Sequence, residues 1–137
     1  MSYLKTKKAL LTQLLTVVNV GDLALENKKF DPSNKDIWYA AYFLPASTGA
    51  LGKTSTSSDE QRGIFQVSVF ININRFDYDD SQLSAIDAIL STFTYNTNLM
   101  YNGQTVDILT SEVNSGSESE AWYQRDISIN YLTFSTR

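Results

Sequence analysis

The longest regular pattern in the chain runs from Arg62 to Asn74. Phe65, Val67, Val69, Ile71 and Ile73 are apolar, and Gln66, Ser68, Asn72 and Asn74 interleave them. Apolar positions spaced two apart put one face on a core and one toward water, which is a strand. The β-branched and aromatic residues suit that pleated surface. The run exceeds the usual strand of about five or six residues, so it predicts the central strand of a sheet. Ile64 and Phe70 interrupt the polar set, so part of the second face is covered too.

Helical spacing governs two other stretches. In Ser2 to Val18, Leu4, Leu11, Leu14, Leu15 and Val18 fall on one stripe with Leu10 beside it. Ser2 is the expected N-cap, and Gly21 is expected to close the helix in the left-handed conformation. In Ser81 to Phe93, Leu83, Ile86, Leu90 and Phe93 share a face with Ile89 flanking, and Asp79 or Asp80 is placed to cap the start. Leu23 to Phe30 alternates weakly and reads as a first strand, followed by a turn at Asp31-Pro32-Ser33-Asn34. Ile37 to Leu44 is apolar on both faces, which predicts a strand buried between layers or against a partner subunit, ended by Pro45. Asn98 to Tyr101 and Gln104 to Leu109 flank Asn102-Gly103, the strongest short hairpin signal. Ala121 to Phe134 is a long final strand. Its apolar phase changes after Tyr131, which predicts a bulge or a change of environment near there. Thr48 to Gln61 and Thr110 to Glu120 are polar and read as long loops, the first expected to be mobile in the monomer and ordered by a neighbour. The sum is α+β: a mostly antiparallel (mixed) sheet with two helices on one face, and Trp, Tyr, Phe and Asn on the other.

At 137 residues the length predicts one domain, 1–137. A net charge of −4 argues against binding a phosphate backbone, which needs lysine and arginine to release counterions. The chain has no cysteine and no histidine, so thiolate nucleophiles, imidazole bases and ordinary zinc sites have no ligands to use. No apolar run approaches the roughly 20 residues that span a bilayer, and no secretory signal follows the charged start. The expectation is therefore a protein of the cytosol with no membrane partner and no cofactor.

Three groups of residues invite a chemical reading. Ser47 to Thr54 is similar to the end of a phosphate-binding P-loop, but Ser47 stands where the motif has glycine. The motif also needs a helix after Lys53, and Ser55 to Gln61 has no apolar period. Asp77, Asp79 and Asp80 lack the glycine and distal glutamate of a calcium loop, and helix capping explains them. Asp59, Glu60, Glu118 and Glu120 lie in polar surroundings that would not raise a carboxyl pKa for acid–base work. The expectation is no enzyme. The large amphipathic residues Trp38, Tyr39, Tyr42, Trp122, Tyr123 and Tyr131 divide between core and interface.

The order of parts carries a resemblance. A helix leads into Phe30-Asp31-Pro32 and the strand Trp38-Tyr39-Ala40-Ala41-Tyr42-Phe43-Leu44-Pro45. A polar segment then enters Gln61-Arg62-Gly63-Ile64-Phe65-Gln66-Val67, and a helix ending at Phe93 and a long last strand follow. Over nearly its whole length the chain resembles the tail terminator-like proteins of long-tailed, lambda-type bacteriophages. Where relatives often carry a Pro- and Gly-containing segment after the central strand, this chain has Asn74-Arg75-Phe76-Asp77-Tyr78-Asp79. The resemblance implies a virion protein of the tail or neck, assembled in the host cytoplasm. It implies six copies in a ring that cap the tail tube protein, stop its polymerisation and offer a surface to the head connector. Lys53, Asp59, Glu60 and Arg62 are the expected charged contacts, and Trp38 and Tyr42 the expected aromatic ones, between subunits or to the tube. Two alternatives remain at this stage: a head-side neck adaptor, and a small nucleotide-binding or hydrolytic enzyme.

Overall fold

In the computed structural model the alternating segments form one seven-stranded sheet, and the residues described are 3–26, 29–33, 35–50, 58–73, 80–114, 116–119 and 122–136. The strands are β1 (Leu23–Leu25), β2 (Ile37–Ala50), β3 (Ser58–Asn72), β4 (Asn98–Tyr101), β5 (Gln104–Val113), β6 (Ser117–Ser119) and β7 (Trp122–Thr136). The helices are α1 (Tyr3–Leu14) and α2 (Asp80–Thr92). Their order across the sheet is β1-β2-β3-β7-β5-β4, with β6 also pairing β7. β1 runs parallel to β2, and every other pair is antiparallel. The class is α+β, as the sequence pattern predicts.

Cross-strand register fixes the two faces. Tyr39, Val69 and Arg125 stand in one row, Ala41, Val67 and Ile127 in the next, and Phe43, Phe65 and Ile129 in a third. These rows face the helices. Leu10 and Leu14 of α1, Ile86 and Ile89 of α2, and Phe93 join Phe65, Val67, Val69, Ile108, Ile127 and Ile129 in one core. Fully burying each such side chain is worth about 1.5–3 kcal/mol, so the core rather than helix propensity holds the two short helices in place. The opposite face carries Trp38, Tyr42, Leu44, Ile64, Gln66, Ser68, Phe70, Trp122, Gln124, Asp126 and Asn130.

Several boundaries depart from the sequence pattern. β2 does not stop at Pro45; it continues to Ala50, with a register shift between Pro45 and Ser47. Beyond Ala41 no β1 residue lies beside β2, so a missing N–H on that edge breaks no ladder bond. The expected loop 48–61 is therefore in large part a ladder: Thr48 pairs Gln61, Gly49 pairs Glu60 and Ala50 pairs Asp59. Its remainder, 51–57, lies outside the described residues. The second expected loop, 110–120, likewise contains the end of β5 and all of β6. β1 has three residues rather than eight because Glu26 leaves the strand and its carboxylate accepts the Phe43 N–H at 2.6 Å.

Of the two readings of the phase change near Tyr131, the last strand shows the change of environment and not the bulge. β7 pairs β3 residue for residue from Trp122–Asn72 to Thr136–Ser58. The shift lies in β5, between Ile108 and Thr110, opposite Tyr131 and Asn130. The change of phase after Tyr131 arises because Leu132, on the other face, is half-buried too. Helix stripes are also rotated from expectation: Leu4, Leu15 and Leu83 are exposed, while Thr6, Ala9 and Gln82 are buried. Gly21 does not take the left-handed conformation; it sits in a short 3-10 turn capped by the Asn19 side chain. The hairpin at Asn102-Gly103 is as the sequence predicts, with φ of 48° and 84°.

Candidate functional site

The residues singled out by sequence fall in two places on the sheet. At one end of the helix-free face, Trp38 stacks on Phe70 with ring centroids 3.9 Å apart and planes 5° apart. Phe30 lies at 5.3 Å and Trp122 meets Trp38 edge-on at 5.9 Å. Trp38 is thus half-buried in an aromatic cluster, although its buried indole Nε1 has no hydrogen-bond partner among the described residues. Next along the face is a polar row in which Asp126 accepts from the Ser68 hydroxyl at 2.6 Å and from Gln124 Nε2 at 2.7 Å. Ser68 is fully buried and satisfied there. With its own partners in place, this row reads as sheet-stabilising rather than as a nucleophile awaiting a base.

At the other end lie Tyr42, Leu44, Ile64, Leu132 and the arm formed by β2, β3 and β7. Glu60 and Arg62 form an ion pair on β3. Arg62 is largely exposed, so the pair contributes only about 0–1 kcal/mol to the folded chain. Asp59 occupies the rung between Ala50 and Ser135; Lys53 lies outside the described residues. Trp38 and Tyr42, four residues apart on β2, are separated by roughly 13 Å at strand rise. Only Tyr42 therefore belongs with the charged arm. Ser47 to Ala50, the P-loop-like segment, are strand residues in a β ladder, and Ser58 already begins the next strand. Among the described residues no cluster of three or more acidic side chains is placed to hold a metal ion, and no helix is long and apolar enough to cross a membrane.

A shallow groove opens beside the arm, lined by Arg62, Gly63, Ile64, Leu109, Thr110, Asn130 and Tyr131. Two of its lining residues, Gly63 and Tyr131, pack closely against each other. Tyr131 stands directly opposite Gly63, and its ring stacks on Phe43 with centroids 5.8 Å apart. A β-carbon at position 63 would lie 2.5 Å from the Tyr131 hydroxyl and 2.8 Å from the Leu44 carbonyl oxygen. Burial pushes the Tyr131 phenol up to about 12, with a smaller contribution from Tyr3. A glycine inside an alternating run is the sequence signal for such a close approach. Gln82 gave no signal: it occupies a helix position that periodicity assigns to the flank. Its Nε2 donates to the Val69 and Tyr123 carbonyls at 2.9 and 3.1 Å, tying α2 to β3 and β7.

No curated protein matches the chain in sequence. One solved structure, whose name describes no function, aligns with a TM-score of 0.64 at 25% identity, covering 95% of this chain and 91% of its own. A chain in the virion of a native gene transfer agent particle aligns with a TM-score of 0.59 at 13% identity, covering 98% of this chain and all of that one. At that identity the second likeness shows a shared fold. The family profile described as phage tail terminator protein matches residues 5–131, from α1 through most of β7. The chain belongs to the phage tail terminator protein family, and is a structural protein of a phage tail.

Proposed function

We propose that this protein caps the tail tube as a ring, stops tube polymerisation and presents the surface to which the head connector joins. The observation that carries this reading is the family match over residues 5–131, which spans both helices and reaches all seven strands. The surface supports it in kind. Broad aromatic and polar strand surface is left uncovered by the helices, and a three-stranded arm carries paired charge. In this reading Lys53, Asp59, Glu60 and Arg62 set register between neighbours or against the tube protein, while Tyr42 and the aromatic strand surface around Trp38 supply contact area. Weak exposed ion pairs choose orientation better than they supply affinity. A ring of six needs a heterologous contact, in which one surface meets a different surface of the next copy and the rotation closes.

The test is purified protein added to tail tubes growing from tube subunits. Elongation is expected to stop, with the added protein at the growing end. Tubes that lengthen unchanged while the protein binds the head connector instead would favour a neck adaptor and refute the cap.

A further inference from the structure

Among the described residues the sheet has two partly open edges on opposite flanks. On one flank β2 has β1 beside it only at Tyr39, Ala40 and Ala41. Phe43 N–H is taken by Glu26, and Pro45 has no N–H. From Ala46 to Ala50 no described strand lies on the outer side of β2. On the other flank β4, four residues long, has β5 as its only partner among the described strands. An uncovered edge offers unpaired N–H and C=O groups that another strand can take up.

Some of the exposed apolar side chains sit at these two edges, and Tyr42, Leu44 and Met100 among them share the helix-free face. Tyr42 and Leu44 point from β2 to the helix-free side, 38% and 45% exposed. Met100 of β4 is 72% exposed, and its neighbour Leu99 points inward to the core. Five residues before Met100, Tyr95 is 77% exposed at the head of a short turn. That turn is held rigidly. Asn96 N–H donates to the Ile108 carbonyl at 2.8 Å, Ile108 N–H donates to the Thr97 carbonyl at 2.9 Å, and Asn96 has a φ of 67°. A tyrosine presented by a locked turn loses little conformational freedom on contact, which suits it as an anchor.

We infer that these two edges are the two halves of one contact between copies of this chain, with β4 of one copy seated along Ala46 to Ala50 of β2 in the next, and Met100 and the Tyr95 turn meeting Tyr42 and Leu44 through side chains. A second copy is the fitting occupant for three reasons. Each edge lacks a strand and the other supplies one; the lengths agree, at about four to five residues; and the apolar residues lie on one face at both edges. Because the two surfaces differ and stand at opposite flanks, the contact is heterologous and propagates from copy to copy. The helix-free faces of successive copies then join into one continuous surface. The inference rests on the ring reading above and adds the surfaces that build the ring.

The chain has no cysteine, so introduced thiols report cleanly. A variant carrying Leu44→Cys with Met100→Cys is assembled onto tails and treated with a flexible bis-maleimide cross-linker. The expected result is a ladder of covalent species running from dimer to the full ring, with no ladder from either single variant. Tyr42→Cys with Tyr95→Cys gives the same readout where the first pair does not assemble. Capped tails that yield only monomer, or only dimer, would overturn the edge contact and leave the ring reading standing. Absence of the wild-type protein from tails would overturn both.

Discussion

Gly63→Ala tests the close packing of Tyr131 against β3. The added carbon would stand 2.5 Å from the Tyr131 hydroxyl, 2.7 Å from its Cζ and 2.8 Å from the Leu44 carbonyl oxygen. Non-bonded heavy atoms rest at about 3.5–4.0 Å. Tyr131 is 2% exposed and stacked on Phe43, so it has little room to retreat. Overpacking of a well-filled site costs about 1–3 kcal/mol, which for a chain of this size lowers the melting temperature by roughly 3–12 °C. Urea unfolding followed by fluorescence of Trp38 and Trp122 gives the free energy, with an unchanged m-value as the check that the two states are unchanged. Tyr131→Leu shortens the offending side chain but leaves the Leu44 oxygen. The double variant is therefore expected to be more stable than the sum of the singles by at least about 0.5 kcal/mol, without full recovery. A Gly63→Ala protein that unfolds with the wild type, or strictly additive effects, would refute the close approach.

Gln82→Glu places a carboxyl in a buried site against two carbonyl oxygens, which raises its pKa above the ordinary glutamate value of about 4.3. Such a variant should hold its stability below about pH 4 and lose it as pH rises toward 7, read by denaturant titration across that range. The wild type should lose stability between pH 10 and about 12. There the unfolded chain has released the Tyr131 proton that the folded chain keeps, and Tyr39, raised by burial and then by Asp22, adds in the same direction. Tyr131→Phe should remove its share of that slope. Glu60→Ser with Arg62→Ser should change folding stability by less than about 1 kcal/mol while weakening capping of tubes in the elongation assay; full capping would remove the pair from the interface.

The sheet and its core were legible because Phe65 to Ile73 and Tyr123 to Tyr131 alternate except at Phe70 and Arg125, and a period of two admits one inward phase. Asn102-Gly103 was legible because the turn needs two positive φ angles, which those residues supply. The arm was not. Thr48 to Gln61 is polar on both faces, so no period marks Thr48–Ala50 or Ser58–Gln61 as strand; the flanking strands extend the ladder through them. Pro45 looked like a terminus because a proline ends a central strand, and only the shortness of β1 makes that edge tolerant. The helix stripes differ from the apolar pattern at Gln82 and Thr6, both buried, since hydrogen bonding rather than hydrophobicity admits polar side chains to a core. Of the six expected contact residues, the fold gathers Asp59, Glu60, Arg62 and Tyr42 toward one end of the sheet and puts Trp38 at the other. Four residues of strand rise on β2 make that division, and the charged residues reach the Tyr42 end because the β2–β3 ladder runs on to Ala50 and Asp59, which no local pattern encodes.

The most direct test of the capping role is an electron micrograph of particles made without this protein. The account predicts tails of uncontrolled, excessive length that do not join heads, restored to uniform length when the protein is supplied. Tails of normal length attached to filled heads would contradict it.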